Sequence, residues 1–251
     1  MNYAVVERRG VAAGGISLDG VLRILGGRRV LDGVSLEIGL HERLGIVGRS
    51  GTGKSTLLSL VAGLDEPDHG LVTVGGDATA EGRLRRCALM PQRDGLLPWR
   101  TALDNACLAL ENAGLGRPEA RAAARPLFAR FGLEGAEELR PARLSAGMRQ
   151  RVAFLRTLLA GKDVLLLDEP FGALDAITRG ELQDWLGDAL ADQPQTVLLV
   201  THDIEEALRL CDRVAVLSRG RIATILEVDV ERDVTDPAFV ELRRRALEAI
   251  E

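Results

Sequence analysis

Gly48-Arg49-Ser50-Gly51-Thr52-Gly53-Lys54-Ser55 decides the fold of this 251-residue chain. Its spacing is G-x-x-x-x-G-K-[ST], a loop that wraps the phosphates of a nucleotide. An apolar run with Leu44, Ile46 and Val47 leads into it, and Thr56-Leu57-Leu58-Ser59-Leu60-Val61 follows with helical character. Strand, glycine loop and helix in that order are the context the motif needs. The glycines let successive N–H groups point inward at anionic oxygens. The helix N-terminus adds partial positive charge there. Lys54 is spaced to reach the β and γ phosphates and Ser55 to ligate Mg2+. Gly48 through Thr56 are therefore the candidate nucleotide-binding residues.

A second element fits the same chemistry. Val164-Leu165-Leu166-Leu167 is an apolar strand that ends in Asp168 and Glu169. Beside a phosphate-binding loop, Asp168 at the strand end is the natural Mg2+ partner, largely through water. Glu169, one residue on, is placed to polarise an attacking water as a general base.

Composition sets the surroundings. Hydrophobic residues make up 46% of the chain, enough for a substantial core, and the formal net charge is −5. An acidic balance argues against a general nucleic-acid binder, whose footprint is basic. Cys87, Cys107 and Cys211 are scattered with no CxxC pair, and read as small buried hydrophobes in a reducing cytosol. No run reaches the roughly 18 apolar residues that span a bilayer, and the N-terminus has no apolar signal region. The expectation is a chain that stays in the cytosol, with any membrane association coming through a partner.

Along the chain, residues 1–15 are weakly patterned. Alternation from Ile16 to Glu37, with turn residues at Gly26-Gly27 and Asp32-Gly33, predicts strands, as do Leu71–Val74 and Cys87–Met90. Between about residues 93 and 160 the chain is rich in Ala, Leu, Arg and Glu and reads as helices, with Pro118 at a helix start. Val164–Leu167 and Thr196–Val200 are uninterrupted apolar runs, as strands buried on both faces require. Val214–Leu217 and Ile222–Leu226 continue the β pattern, with helices expected at Ala176–Ala191 and Ile204–Leu210. Pro237–Ile250 has the pattern of a final amphipathic helix, either a cap on the domain or a regulatory tail. Arg243-Arg244-Arg245 reads as a solvated helix face or a lipid-headgroup contact. The expected fold is α/β: a nucleotide-binding core over residues 16–235 with a helical insert at 93–160, then a C-terminal helix at 236–251.

Four further segments resemble the ATP-binding cassette (ABC) ATPases over about residues 16–228. Leu144-Ser145-Ala146-Gly147-Met148-Arg149-Gln150-Arg151 resembles the family's signature motif. Gln92, in Met90-Pro91-Gln92, resembles the Q-loop glutamine. Ala173-Leu174-Asp175 resembles the D-loop, and His202 after Thr201 the switch histidine. The resemblance implies a P-loop NTPase core with an N-terminal antiparallel β subdomain and a helical subdomain. It implies ATP and Mg2+ as ligands, and a head-to-tail pair of ATPase subunits, most simply a homodimer. Ser145 and the amides around Gly147 would face the γ-phosphate held by the other subunit. Asp175 would bridge the halves, and His202 would hydrogen-bond the γ-phosphate. Gln92 would sense Mg2+ or the attacking water, joining Ser55 and Asp168 around the metal and Glu169 and His202 around the reaction. The loop Leu96–Arg100 would contact transmembrane permease subunits, with Leu96, Leu97 and Trp99 either exposed for that purpose or folded into the domain's own core. Together with Gly147-Met148-Arg149-Gln150-Arg151 and the stretch Asp168–Arg179, the Leu-Leu-Pro-Trp segment is similar to importers of nitrate, sulfonate, taurine and thiamine-precursor compounds, which also work with a solute-binding protein. Nucleic acid is not an expected partner. The competing readings are a regulatory, weakly hydrolysing ABC module and a non-transport ABC ATPase.

Two departures bear on turnover. Ala146 stands where the family keeps Gly, so its methyl crowds the phosphate or opposes a positive φ, and reduced ATPase is expected. No Phe, Trp or Tyr occurs between Tyr3 and Trp99, so Leu25 or a neighbour stands where the family stacks an aromatic on adenine. Losing a stack worth on the order of 1–3 kcal/mol on nucleic acids predicts roughly tenfold weaker nucleotide binding.

Overall fold

The computed structural model describes residues 15–172, 176–191 and 195–250. Asp175 and nearly all of segment 1–15 lie outside the described residues. Strands β1 (Ile16–Leu25) and β2 (Arg28–Ile38) form a hairpin turned by Gly26 and Gly27, both at positive φ. Asp32-Gly33 is not a turn, contrary to expectation. It lies inside β2, where the pairing with β1 skips register and Gly33 takes φ 76°. Such a bulge sharpens strand twist without ending the strand.

Strand β3 (Arg43–Val47) runs into the glycine loop and helix α1 (Lys54–Val61). The chain then pairs β4 (His69–Val74) with the free side of β1, completing a three-stranded antiparallel sheet in the order β2-β1-β4. Helix α2 (Ala80–Arg86), which the sequence pattern did not announce, leads into β5 (Cys87–Met90). The helical layer follows as α3 (Ala102–Ala106), α4 (Leu108–Asn112), α5 (Arg117–Arg130) and α6 (Ala146–Leu158). Strands β6 (Val164–Asp168), β7 (Thr196–Thr201), β8 (Arg213–Ser218) and β9 (Arg221–Glu227) complete a six-stranded sheet, with α7 (Ala176–Ala191) and α8 (Ile204–Leu210) between them and α9 (Pro237–Ile250) last.

The sheet order is β5-β6-β7-β3-β8-β9, parallel except for β9. Val47 pairs with Thr201 and Asp168 with Val200, so the loops after β3, β6 and β7 leave from one edge. In open α/β sheets that C-terminal edge is where ligands bind.

The two faces of the sheet feed separate cores. Leu165, Leu167, Val197 and Leu199 pack against the helical layer, while Val164, Leu166, Leu198 and Val200 pack against α1 and the small sheet. This period-two division is why β6 and β7 read as unbroken apolar runs. A third cluster seats α8 and α9 on β8 through Phe239, Leu242 and Ala246. On α9, Arg243 pairs with Glu205, and Arg244 with Glu241 and Glu248, which makes the arginine run a solvated, ion-paired face. All three cysteines are buried and free, and burial pushes the Cys87 thiol up to about 12 and the Cys107 thiol up to about 11.

One polar residue knits the α1–β4–α2 corner. Arg83 is buried and donates to the carbonyls of Leu60 at 3.0 Å, Asp65 at 3.3 Å and Val72 at 3.4 Å, to that of Ala78, and to Glu66 at 2.8 Å. Removing it leaves interior carbonyls without donors, a cost of about 1–3 kcal/mol for each such group. Arg83→Ala should therefore lower the urea midpoint, by about 3 kcal/mol of stability or more, at unchanged m-value. An unshifted midpoint would contradict this role.

Candidate functional site

The loop Gly48–Gly53 closes over its own lysine. Gly53 caps α1 at φ 104°, and a Cβ there would stand 2.8 Å from the Val30 carbonyl oxygen. Positive φ and close approach together require glycine. Lys54 is only 5% exposed. Its Nζ donates to the carbonyls of Gly48 at 2.8 Å and Arg49 at 3.1 Å, and lies 3.8 Å from Glu169 Oε1. Burial pulls this ammonium below the usual lysine range, while Glu169 and Asp168 oppose the shift.

Ser55 Oγ donates to Asp168 Oδ1 at 3.2 Å, joining the first turn of α1 to the end of β6. Burial raises the Asp168 carboxyl above its ordinary value, with Ser55 pulling the other way. A hydroxyl and a carboxylate are oxygen donors of the kind a hard divalent cation takes. Among the described residues no group of three or more His, Cys, Asp or Glu is arranged to hold a metal ion by itself. A cation here would therefore complete its shell with water and phosphate, as Mg2+ does.

Glu169 is the meeting point. It takes φ 43°, left-handed for a non-glycine residue and costly by about 1–3 kcal/mol. Its backbone N–H donates to the Val200 carbonyl at 2.8 Å, and its own carbonyl accepts from Gly172 N–H at 3.1 Å. The pinned backbone turns the carboxylate inward. Gln92 Nε2 donates to Glu169 Oε2 at 3.0 Å, and His202 Nδ1 lies 3.3 Å from the same oxygen. Gln92, Lys54, Asp168, Glu169 and His202 thus come together from four separate segments.

Two predicted residues lie at the start of α6, with no hydrogen bond to this group among the described residues. Ser145 caps α6, its hydroxyl accepting from the Met148 N–H at 3.1 Å. Gly147 lies buried in the first turn of the same helix. Ala146 is not among the described residues at positive φ and sits within α6, so the methyl imposes no backbone strain there.

Sequence reasoning missed a strut between α6 and the segment after Gln92. Arg156 donates to the carbonyls of Asp94 at 2.7 Å and Gly95 at 2.8 Å. Arg149 donates to Asp94 Oδ2 at 3.1 Å and to the Leu144 carbonyl at 2.8 Å. Farther along, fully buried Asn105 accepts from Leu97 N–H at 2.7 Å and donates to the carbonyls of Leu97 and Thr101 at 3.1 and 2.9 Å. Of the two placements open to this loop, Leu96 takes the one in the domain's own core rather than being displayed for a partner, while Trp99 is left 68% exposed. Arginine fans onto backbone carbonyls leave no spacing pattern, which is why the strut is invisible in sequence.

A cavity of about 440 Å3 adjoins the glycine loop, lined by Arg28, Val30, Arg49, Thr52, Arg219 and their neighbours. Leu25, nearby on the hairpin, is 42% exposed. These guanidinium groups make the mouth of the loop positive in an otherwise acidic chain, a field that attracts anions.

Comparison with known proteins gives consistent relatives. A family model described as ABC transporter matches residues 31–172. An aliphatic sulfonates import ATP-binding protein of Streptomyces avermitilis is 42% identical over 98% of this chain and 90% of its own length. A bicarbonate transport ATP-binding protein of Synechococcus elongatus is 42% identical over 87% of this chain and 82% of its own. Among solved structures, a dimeric post-hydrolysis state of an ATP-binding cassette bound to ADP and Pi superposes with a TM-score of 0.75 at 29% identity, covering 86% of this chain and 99% of that one.

The strut carries a prediction. Arg156→Lys keeps the charge but loses the fork onto two carbonyls. Native-state hydrogen exchange at the Leu96 amide should then quicken by about tenfold or more while α6 stays protected. Equal protection in both proteins would remove the strut as the cause of order in this loop.

Proposed function

The chain belongs to the ABC transporter family, and from that premise we propose that it is the ATP-hydrolysing subunit of a solute importer whose membrane-spanning parts are separate chains. The observation that carries this reading is the convergence of Lys54, Gln92 and His202 on the Glu169 carboxylate at the C-terminal edge of the sheet.

The geometry suits phosphoryl transfer to water. Gly48–Thr56 present backbone donors and the α1 N-terminus to the triphosphate. Ser55 and Asp168 would hold Mg2+, with Gln92 close by; the ion, when bound, neutralises charge on the β and γ oxygens. Lys54 rests on carbonyls and Glu169, groups it would exchange for phosphate oxygens. His202, released from Glu169, would donate to the γ-phosphate. Glu169 is then free to accept the proton of the attacking water as its oxygen bonds to phosphorus and the bond to ADP breaks.

Ser145 and Gly147 do not join this group within one chain, which supports a head-to-tail pair in which α6 of one copy faces the nucleotide of the other. Asp175, outside the described residues, is assigned to the same seam by resemblance. No helix among the described residues is long and apolar enough to cross a membrane. Exposed Trp99 on its pinned loop therefore supports docking onto a permease at the cytoplasmic face, since aromatic anchors dominate interfaces. The sulfonate and bicarbonate for which the two relatives above are named support a small anion as cargo, delivered by a solute-binding protein.

Leu25 favours weak nucleotide binding, the feature that a regulatory module would share. Leu25→Tyr should tighten ATP binding by about tenfold and Ala146→Gly should raise turnover modestly; no change in titration calorimetry or single-turnover ATPase would make both departures harmless. Glu169→Gln should keep ATP affinity, trap a dimer by light scattering and lower kcat at least about 100-fold. Unchanged turnover would refute Glu169 as the base.

A further inference from the structure

Glu206 lies in α8, 3% exposed, four residues beyond His202 in the chain. Its Oε2 accepts from the Thr201 hydroxyl at 3.0 Å, while Oε1 is buried without a partner. The same hydroxyl accepts from Asp203 N–H at 3.0 Å. The Asp203 carboxylate in turn caps α8, accepting from the N–H groups of Glu205 and Glu206 at 3.0 and 3.2 Å. The turn Thr201-His202-Asp203 is thereby fastened at both ends, and His202 is the residue between the fastenings.

Burial first, and then the charges around it, set the protonation of Glu206. From the turn it faces Asp203; from the end of β6, Glu169; from α7, Arg179, which lies 3.7 Å from Asp203. Cys211 at the end of α8 is a buried thiol whose ionisation burial suppresses. On α9, Arg243 is paired with Glu205. The flanking residues of β3 and β8 are apolar: Val47, Val214 and Val216. A carboxylate with one bare oxygen and two negative neighbours is costly, whereas its neutral form is far less so.

We propose that Glu206 is a positioning residue for His202: neutral, it holds the Thr201–Asp203 turn so that the imidazole faces the phosphate end of the site, whereas a negative charge on it, set against Asp203 and Glu169, pushes the turn out of place and slows hydrolysis. This rests on the reading of the site as an ATPase. Burial pushes the Glu206 carboxyl up to about 8, the Thr201 hydroxyl opposing and Asp203 reinforcing. The folded chain therefore holds this proton more tightly than the unfolded one. The stabilisation is complete below the ordinary carboxylate range and is lost as pH rises toward about 8.

The test compares wild type with Glu206→Gln, the isostere of the neutral acid, in steady-state ATPase assays across neutral and alkaline pH. Wild-type kcat should fall about tenfold from neutral pH to one unit above the transition. The variant should match the wild type at neutral pH and lack this limb. Thermal unfolding without nucleotide supplies an independent arm: the Tm of the variant should gain on that of wild type as pH rises. Parallel pH–rate profiles overturn the proposal whatever the Tm result. Absence of ATPase at every pH, with the Tm divergence intact, overturns the reading of function and the proposal with it while leaving the titration standing. Absence of the Tm divergence overturns the titration on which the proposal depends. Should Glu206→Gln fail to fold, Thr201→Val and Thr201→Ser replace it: Val should lower kcat, Ser should restore it, and equal rates for both overturn the proposal.

Discussion

A buried ammonium governs this structure. Lys54 sits beneath the glycine loop, held by two carbonyls and a carboxylate, and an interior cation tolerates that position only while anionic or carbonyl oxygens surround it. That demand shapes the loop, which curls to aim carbonyls inward at Nζ, and it fixes Glu169, whose left-handed backbone turns its carboxylate toward the lysine. An incoming triphosphate would satisfy the same demand better than the groups that meet it now. On the proposed function, the binding step would be an exchange of partners around one charge that releases Glu169 and His202 for chemistry.

The sheet makes the exchange possible. With β3, β7 and β6 adjacent and parallel in matched register, the loop, the carboxylates and the histidine emerge side by side although they are far apart in the chain. The helical layer adds the second requirement of a transport ATPase, a rigid link. Arg149 and Arg156 tie α6 to the segment after Gln92, and Asn105 ties the following loop to α3. The loop that carries exposed Trp99 is thereby tied through its first residues to α6.

Much of this is legible in the sequence. Gly48–Ser55 announces itself because a phosphate cradle needs glycines at set intervals. The runs before Glu169 and His202 announce themselves because parallel strands are apolar on both faces. Other features were hidden by physics that leaves no periodic trace. Asp32-Gly33 has turn chemistry, yet the pairing of β1 with β2 continues across it, and the pair becomes a bulge. Leu96 looked available for a partner, but the arginine fan onto Asp94 and Gly95 draws it into the core. Helix α2 is short and largely polar, and its decisive residue is Arg83, whose burial is visible only once five oxygens surround it. Nothing in the pattern of α8 marks Glu206; only packing reveals that it is enclosed.

The most direct test of the account is a crystal structure of the wild-type chain with Mg2+ and a non-hydrolysable ATP analogue. The account predicts Lys54 Nζ withdrawn from Glu169 and bonded to phosphate oxygens, with Ser145 of a second copy closing on the same γ-phosphate. Lys54 still resting on its loop carbonyls and Glu169, with the nucleotide bound elsewhere or untouched by a second copy, would contradict it.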